Sequence, residues 1–494
     1  MHPSIPCSHR VARFVGGGVL ALAGLLGSAI AMAAPHVSLQ ARAHPQELLS
    51  IAGRGFAPKE VVNVYFDASP APDVTAGDTG EFRGYALTVP AAALPGTHWL
   101  TFVGSKKGRY VQKAMAVGTD WPNFHGTDGK TRVNAYENLL SPTNVALLDM
   151  AWKAPTGGAI TSSAAIVEGV AYVGSKDGKV YALDAVTGRV IWSFLTGGPV
   201  EASPAVAQGL VYVGSNGGTL YALDAKTGAV RWSKPASFSY LCAPIVTDGV
   251  VYLAEWSTHL LRAFDALTGA DLWSADIGGT ANSVVVVDKA VAYVNSRAKT
   301  LQAINTATGA TLWTVATDAV SDGAPAVLGR TVYLADSRTL YAFDTRTGAR
   351  LWAASTPGVY FQNSPAVVNG LVYVGSTDGL VHAFNATTGA AVWTASTDGG
   401  IAASAPALAN GVVYIVTGTG SLYAFDAATG ATLWVWRTGS LVVASAAVAD
   451  GFVYVGAADG GLYAFALYGG QNAIYRRQAG PPAVQSLGRA ASQR

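Results

Sequence analysis

Cysteine is nearly absent: Cys7 and Cys242 are the only two in 494 residues. No Cys-x-x-Cys-His run offers a haem attachment, and His125 with Asp128, His259 and His382 all lack partners at metal-ligand spacing. Charge is sparse as well, at 13% Asp, Glu, Lys and Arg with a net charge of +2, so nothing points to nucleic acid or anionic lipid as a partner. One long apolar run occurs, Phe14 to Ile30, preceded by His9, Arg10 and Arg13 and followed by Ala31-Met32-Ala33. It reads as a secretory signal peptide over residues 1–33, with an uncleaved anchor helix as the alternative. Glycine and alanine fill much of the run and Ala-x-Ala follows at once, which favours cleavage. There is no twin arginine, and Cys7 precedes the run rather than following it in a lipobox, so no lipid anchor is expected. The mature chain is expected to be exported, periplasmic or extracellular, without a transmembrane segment. If Cys7 leaves with the leader, no intramolecular disulfide can form, and core size must supply the stability.

What is abundant is glycine, at 57 residues, together with Val, Thr, Tyr and Trp. Much of it belongs to one recurring frame, Ala-x-(Asp/Asn)-x-x-Thr-Gly-x-x-x-Trp, first seen complete at residues 182–192. Its tryptophans are Trp192, Trp232, Trp273, Trp313, Trp352, Trp393 and Trp434, at intervals of 39 to 41 residues. A tyrosine after a β-branched pair recurs eight times, from Tyr172 to Tyr454. Trp152, forty residues before Trp192, supplies an eighth tryptophan, while the last unit ends without one. An N-terminal strand carrying Trp152 is therefore expected to complete the sheet begun by residues 444–468. A period near forty with four strands per unit predicts an all-β, eight-bladed β-propeller of four-stranded antiparallel blades over residues 151–469. In the unit after the first tryptophan the strands read Ala202 to Val206, Leu210 to Val213, Thr219 to Leu223 and Ala229 to Trp232, with turns at Gln208-Gly209 and Asn216-Gly217.

Residues 34–118 read as a small Ig-like β-sandwich with strands VSLQARA, ELLSIAGRGF, VVNVYFDA, EFRGYALTVP and HWLTFVGS. A polar linker, 119–150, follows. Trp121 and Phe124 are expected to pin it to the ring, and Ser141-Pro142 to cap a short helix through Leu148. The tail, 470–494, has four arginines, no acids and Pro481-Pro482, a composition expected to be disordered.

The chemistry of the frame is structural. Asp or Asn accepts backbone N–H groups of the following turn, glycine supplies a positive φ, and tryptophan packs between neighbouring units with one N–H to satisfy. The frame resembles the tryptophan-docking motif of the quinoprotein (PQQ-type) propeller repeats. These are shared by pyrroloquinoline quinone dependent alcohol dehydrogenases and by the outer-membrane assembly factor BamB. The resemblance covers residues 152–468, and SPTNVALLDMAW in the linker is also similar to the segment that leads into the quinoprotein dehydrogenases. It implies a propeller; quinone does not follow from the repeat alone. The family's enzymes resemble one another in a disulfide of adjacent cysteines over the quinone, a calcium held by carboxylate and amide groups, and an aspartate base. No Cys-Cys pair is present here, and the even spacing leaves no long insertions for an active-site cap.

The propeller topology puts the loops between units on one face with the hairpins between second and third strands, and the Thr-Gly turns on the other. Variation collects on the first face: Glu201, Tyr240, Asn282, Asp322, Tyr360, Gln362 and Asn363 in connecting loops, and Glu255, Trp256, Arg297 and Arg338 in hairpins. Variation confined to one face points to binding. The bland alternatives are solvated acids, amides that satisfy backbone groups, and exposed rim charges. Two functions follow: a non-catalytic envelope scaffold, without cofactor, for a protein, peptide or glycan, resembling the BamB branch; or a PQQ- and calcium-dependent alcohol dehydrogenase using Glu201, Asn282 and Asp322. No catalytic residue is assigned under the first.

Overall fold

The computed structural model describes residues 34–106, 109–127, 130–236, 242–281, 285–355, 360–401, 404–442, 444–467 and 481–482. The expected leader, Tyr240, Asn282, Asp128 and all but Pro481 and Pro482 of the tail lie outside the described residues. Among the described residues no helix is long and apolar enough to cross a membrane.

The fold is all-β and built from repeated four-stranded antiparallel sheets resembling propeller blades. Among the described residues eight sheets carry the repeat, one of them with a fifth strand added from the linker. In the sheet after the first tryptophan the strands are Ala205–Ala207, Leu210–Ser215, Thr219–Asp224 and Val230–Pro235, in sequence order from first to last. The first three are largely buried and the fourth alternates between half-buried and exposed, because it forms the outer edge. Gln208 and Gly209 both have positive φ, 52° and 74°, the geometry of a two-residue hairpin. At Asn216-Gly217 the hairpin forms, but the positive φ falls one residue later, on Gly218.

Contacts between first strands run from sheet to sheet, with the linker strand Val133–Asn134 bridging Ala366–Val368 and Ala407–Ala409, and Ala165–Val167 of the first sheet touches Ala447–Ala449 of the last, so the series closes. The closing sheet has the order expected from the tryptophan count. Leu148–Pro155 pairs antiparallel with Gly461–Leu467, bringing Trp152 opposite Ala464 and its ring 6.0 Å from Tyr454.

The frame works as a relay between sheets. Asp184 Oδ1 accepts the Thr187 amide and hydroxyl, both at 2.8 Å, and fixes the turn. The Ala225 carbonyl of the next sheet then accepts both Trp192 Nε1 at 2.9 Å and the Tyr172 hydroxyl at 3.1 Å. The same double acceptance occurs at Ala185 for Trp152 and Tyr454, and at Ala266, Thr345, Ala386 and Ala427. For Trp434 the matching position is Leu467, where the last unit departs from the frame, and the buried Tyr414 hydroxyl has no partner among the described residues.

The tryptophans are half-buried rather than enclosed, since the outer strand leaves one ring edge in water. Truncating one is therefore expected to cost about 2 kcal/mol, below the range for a fully buried ring. The glycine is the more constrained partner. Gly228 has φ +72°, and a Cβ there would lie 2.7 Å from the Trp192 ring. Gly228→Ala should lower stability by about 2 kcal/mol through strain and displacement of that ring, measured by urea titration; a change below about 0.5 kcal/mol would refute ring-on-glycine docking.

Residues before the linker form two sheets, one of His36–Ser38, Leu48–Arg54 and Phe82–Thr88, the other of Arg42–Ala43, Tyr110–Val117, Gly96–Gly104, Val61–Phe66 and Ser69–Thr75. Leu49, Ile51, Val62, Val64, Leu100, Phe102 and Met115 fill one core between them. Two of these strands went unread in the sequence. Ser69–Thr75 is an exposed edge carrying Pro70 and Pro72, which removes the usual alternation signal, and Tyr110–Val117 mixes Gln112 and Lys113 among its apolar residues. The helix expected from Ser141 is a single 3-10 turn, Val145–Leu147, preceded by Asn144.

Candidate functional site

The two sets of variable loops do share a face. In each case a hairpin amide donates to the carbonyl of the loop that leads into its own sheet: Lys176 to Ala159, Asn216 to Pro199, Arg297 to Thr280, Ser337 to Val320 and Thr377 to Tyr360, at 2.8 to 3.1 Å. Ala185 donates to Gly169 at 2.9 Å, which places the Thr-Gly turns with the first hairpins on the opposite face.

On the variable face the candidates separate by what they touch. Trp256, Arg297 and Asp322 come together although they belong to three successive sheets. The Arg297 guanidinium lies 5.0 Å from the Trp256 ring centroid and 3.1 Å from Asp322 Oδ1. Their charged ends stay open, at 44% and 35% side-chain exposure for Arg297 and Asp322. Glu201 forms a separate ion pair with Lys176, 3.1 Å, across the first and second sheets. Tyr360 and Gln362 are exposed on either side of the buried Phe361, and Arg338 is exposed beside a hairpin fixed by Asp336. Two candidates face inward instead. Glu255 is buried, paired with Arg262 at 3.1 Å and with the Thr258 hydroxyl at 2.7 Å, so it braces its own hairpin. Asn363 is buried, its amide donating to the Gly375 and Ile401 carbonyls at 3.0 and 3.2 Å and accepting the Gly375 amide. Both are structural, because each finds partners in the adjacent backbone or strand before it reaches the rim.

Inside this face the first strands begin with a belt of hydroxyls. Ser203 Oγ accepts the Ser163 amide, Ser364 that of Ala324, Ser445 that of Ala405, and Ser163 that of Ser445, at 2.9 to 3.0 Å. Cys242 is a free thiol whose Sγ lies 3.5 Å from the Ala281 carbonyl; desolvation pushes its pKa up to about 12, so it stays protonated and inert.

The opposite end of the bore is closed by the linker. Trp121 exchanges two backbone bonds with Ile166, and Pro122 accepts from Val206. Phe124 packs on Ile245 and Ala324, and Lys130 Nζ pairs with Asp288. Val327, Val367 and Leu408 donate to the carbonyls of Lys130, Thr131 and Arg132, and Asn134 Nδ2 donates to Val448 at 2.8 Å. One short segment thus reaches the first strand of every repeated sheet. Arg132 sits at its centre, fully buried, with the His125 ring buried beside it. Burial, then the Arg132 charge, pushes His125 down to about 3, so it is neutral. The pinning of Trp121 and Phe124 was legible in the sequence; the buried Arg132 was not, and its one signal was a lone basic residue between aromatic and β-branched neighbours.

The segment also carries the N-terminal module. Arg42 pairs with Asp120 at 2.5 Å and lies 3.7 Å from Asp450, which accepts the Thr119 amide at 2.6 Å. Burial pushes Asp450 up to about 6 against the attraction of Arg42.

A family model described as outer membrane protein assembly factor BamB matches residues 146–261, 257–379 and 336–492. The chain belongs to this PQQ-repeat family. No curated protein matches it. Among solved structures, BamB from Moraxella catarrhalis is 20% identical, with 65% of this chain and 99% of that chain covered and a TM-score of 0.54. The quinohemoprotein alcohol dehydrogenase of Comamonas testosteroni is 18% identical over 71% of this chain and 81% of its own, with a TM-score of 0.61. A europium-containing methanol dehydrogenase is 17% identical over 71% and 98%, also with a TM-score of 0.61. At these identities the likeness to the solved structures is one of fold alone.

Proposed function

We propose that this PQQ-repeat protein is a non-catalytic binding scaffold of the cell envelope, exported by its N-terminal leader. In this reading its eight sheets are the blades of one eight-bladed propeller, and an Ig-like N-terminal module serves as spacer. The partner is a protein, peptide or glycan held on the variable face. The observation that carries the reading is the half-exposed chain of Trp256, Arg297 and Asp322, in which an aromatic face and a guanidinium are held ready by an acid. Because the linker closes the other end of the bore, a partner engages the loop face alone.

A second reading, a PQQ- and calcium-dependent alcohol dehydrogenase, is favoured by fold likeness, with TM-scores of 0.61 for the dehydrogenases against 0.54 for BamB. Of its three candidate residues, Asn282 lies outside the described residues. The other two do not meet: Glu201 pairs with Lys176 and Asp322 with Arg297.

The test runs both readings together. Envelope extract is passed over immobilised wild-type protein and a Trp256→Ser/Arg297→Ala variant, with Glu255 left intact because its buried pair holds the hairpin, and the protein is titrated with PQQ and calcium. Partner retention is expected to fall about tenfold or more in the variant, with no quinone binding at micromolar concentration. Dye-linked oxidation of a primary or secondary alcohol would instead establish the second reading.

A further inference from the structure

The N-terminal module carries an apolar groove of 580 Å³ that neither reading uses. Phe66, Pro90, Leu94, Pro95, His98 and Trp99 form its walls, and Pro482, from the far end of the chain, borders it. The Pro482 carbonyl accepts a hydrogen bond from Gln112 Nε2 at 2.8 Å. That amide is oriented by a second contact, 3.2 Å to the Thr101 hydroxyl.

The walls are held independently of the occupant. His98 is fixed at both ring nitrogens, by Asp67 Oδ2 and by the Leu94 carbonyl, each at 2.7 Å, and its ring lies 5.0 Å from that of Phe66. Asp67 also accepts the Trp99 amide at 2.9 Å. The loop bearing Pro90 and Pro95 is thereby tied to the strand Val61–Phe66, and the groove needs little reordering to receive a ligand.

Its chemistry suits one class of occupant. A polyproline II segment has no internal hydrogen bonds, so its carbonyls are free, and its rings present apolar faces at low entropic cost. An aromatic- and proline-walled groove, with one oriented amide donor against the carbonyl of the proline that borders it, meets both needs. Pro481-Pro482 is the only proline pair in the sequence. Thirteen positions separate it from Leu467, the last residue of the closing sheet, enough chain to return to the module.

We propose that this groove is a proline-recognition site whose occupant is the chain's own Pro481-Pro482, a clasp that ties the C-terminal segment to the N-terminal module. The module is then held to the ring from two sides: through the linker by Arg42, and through the C-terminal segment by Gln112.

Hydrogen exchange on the full-length protein tests this. Pro481→Ser/Pro482→Ser and, separately, Gln112→Ala are compared with wild type. The amides of Leu94 and of residues 96–99 are expected to exchange about tenfold faster in the double variant and less so in Gln112→Ala, with the repeated sheets unchanged. Adding a synthetic peptide of residues 476–487 to the double variant should restore protection. Unchanged exchange at those amides in the double variant would overturn the proposal. So would wild-type protection that falls on dilution, which would make the occupant a second copy. Either result leaves the loop-face reading untouched, because neither variant alters that face.

Discussion

A chain that begins at residue 157 is expected not to fold, although seven tryptophan frames remain intact in it. It lacks Leu148–Pro155, the outer strand of the closing sheet, which pairs with Gly461–Leu467 from Leu148 opposite Leu467 to Pro155 opposite Gly461. Leu148 and Ala154 are buried there, Trp152 packs against them, and Trp152 Nε1 shares the Ala185 carbonyl with Tyr454. Those three side chains together contribute on the order of 5–8 kcal/mol, against a net stability of roughly 5–15 kcal/mol for an ordinary protein. The loss also exposes the apolar strand GLYAFAL as an unpaired edge, a template for aggregation. Gel filtration should show aggregates and circular dichroism no cooperative melt. A peptide of residues 119–155 added during refolding should recover monomer. A monomeric, cooperatively melting product without the peptide would show that the strand at Trp152 is not needed to close the series. Ala154→Asp, which puts an unpaired carboxylate into the same core, is the point-mutation version and should fail in the same direction.

The part of this architecture legible in the sequence is the part that repeats. Turn, glycine and tryptophan recur because each sheet solves the same docking problem against its neighbour, and the orphan Trp152 with the frameless last unit was enough to place the closing strand. The linker gave much less away. Trp121, Pro122, Phe124, Lys130, Thr131, Arg132 and Asn134 reach different sheets at irregular intervals, so no periodicity develops, and a polar sequence conceals a buried segment whose polar groups are answered by the first strands. The rim was legible by position but not by direction. Glu255 and Asn363 vary from unit to unit as Trp256 and Gln362 do, yet they turn inward, because an acid beside Arg262 or an amide beside free backbone groups is better satisfied there than in water. Half-burial of the tryptophans was likewise invisible, since the outer strand's exposure depends on nothing lying beyond it.

Arg132→Leu is expected to be the most damaging single change in the linker. Arg132 Nε donates to the Pro406 carbonyl at 2.7 Å, one terminal nitrogen to Phe124 and the other to Ala405 at 3.5 Å, while the guanidinium lies 4.2 Å from the Phe124 ring centroid. No carboxylate pairs with it among the described residues, and burial pushes its pKa down to about 9, which leaves it charged at neutral pH. An unpaired cation is normally excluded from such a place. It is retained because three buried carbonyls, on the linker and on the seventh sheet, have no other donor of the right shape. Leucine removes the charge but strands those acceptors, at about 1–3 kcal/mol each less the desolvation of the guanidinium, for a net loss of about 3–5 kcal/mol. Lysine should rescue little, since a single ammonium cannot reach acceptors arranged for a fork. Urea titration gives the magnitude. Trypsin gives the mechanism: cleavage after Lys130 should become rapid in Arg132→Leu, well below the unfolding midpoint, if the segment is released from the mouth of the bore while the sheets stay paired. Equal loss of protection throughout the chain would mean that the linker and the ring unfold as one unit.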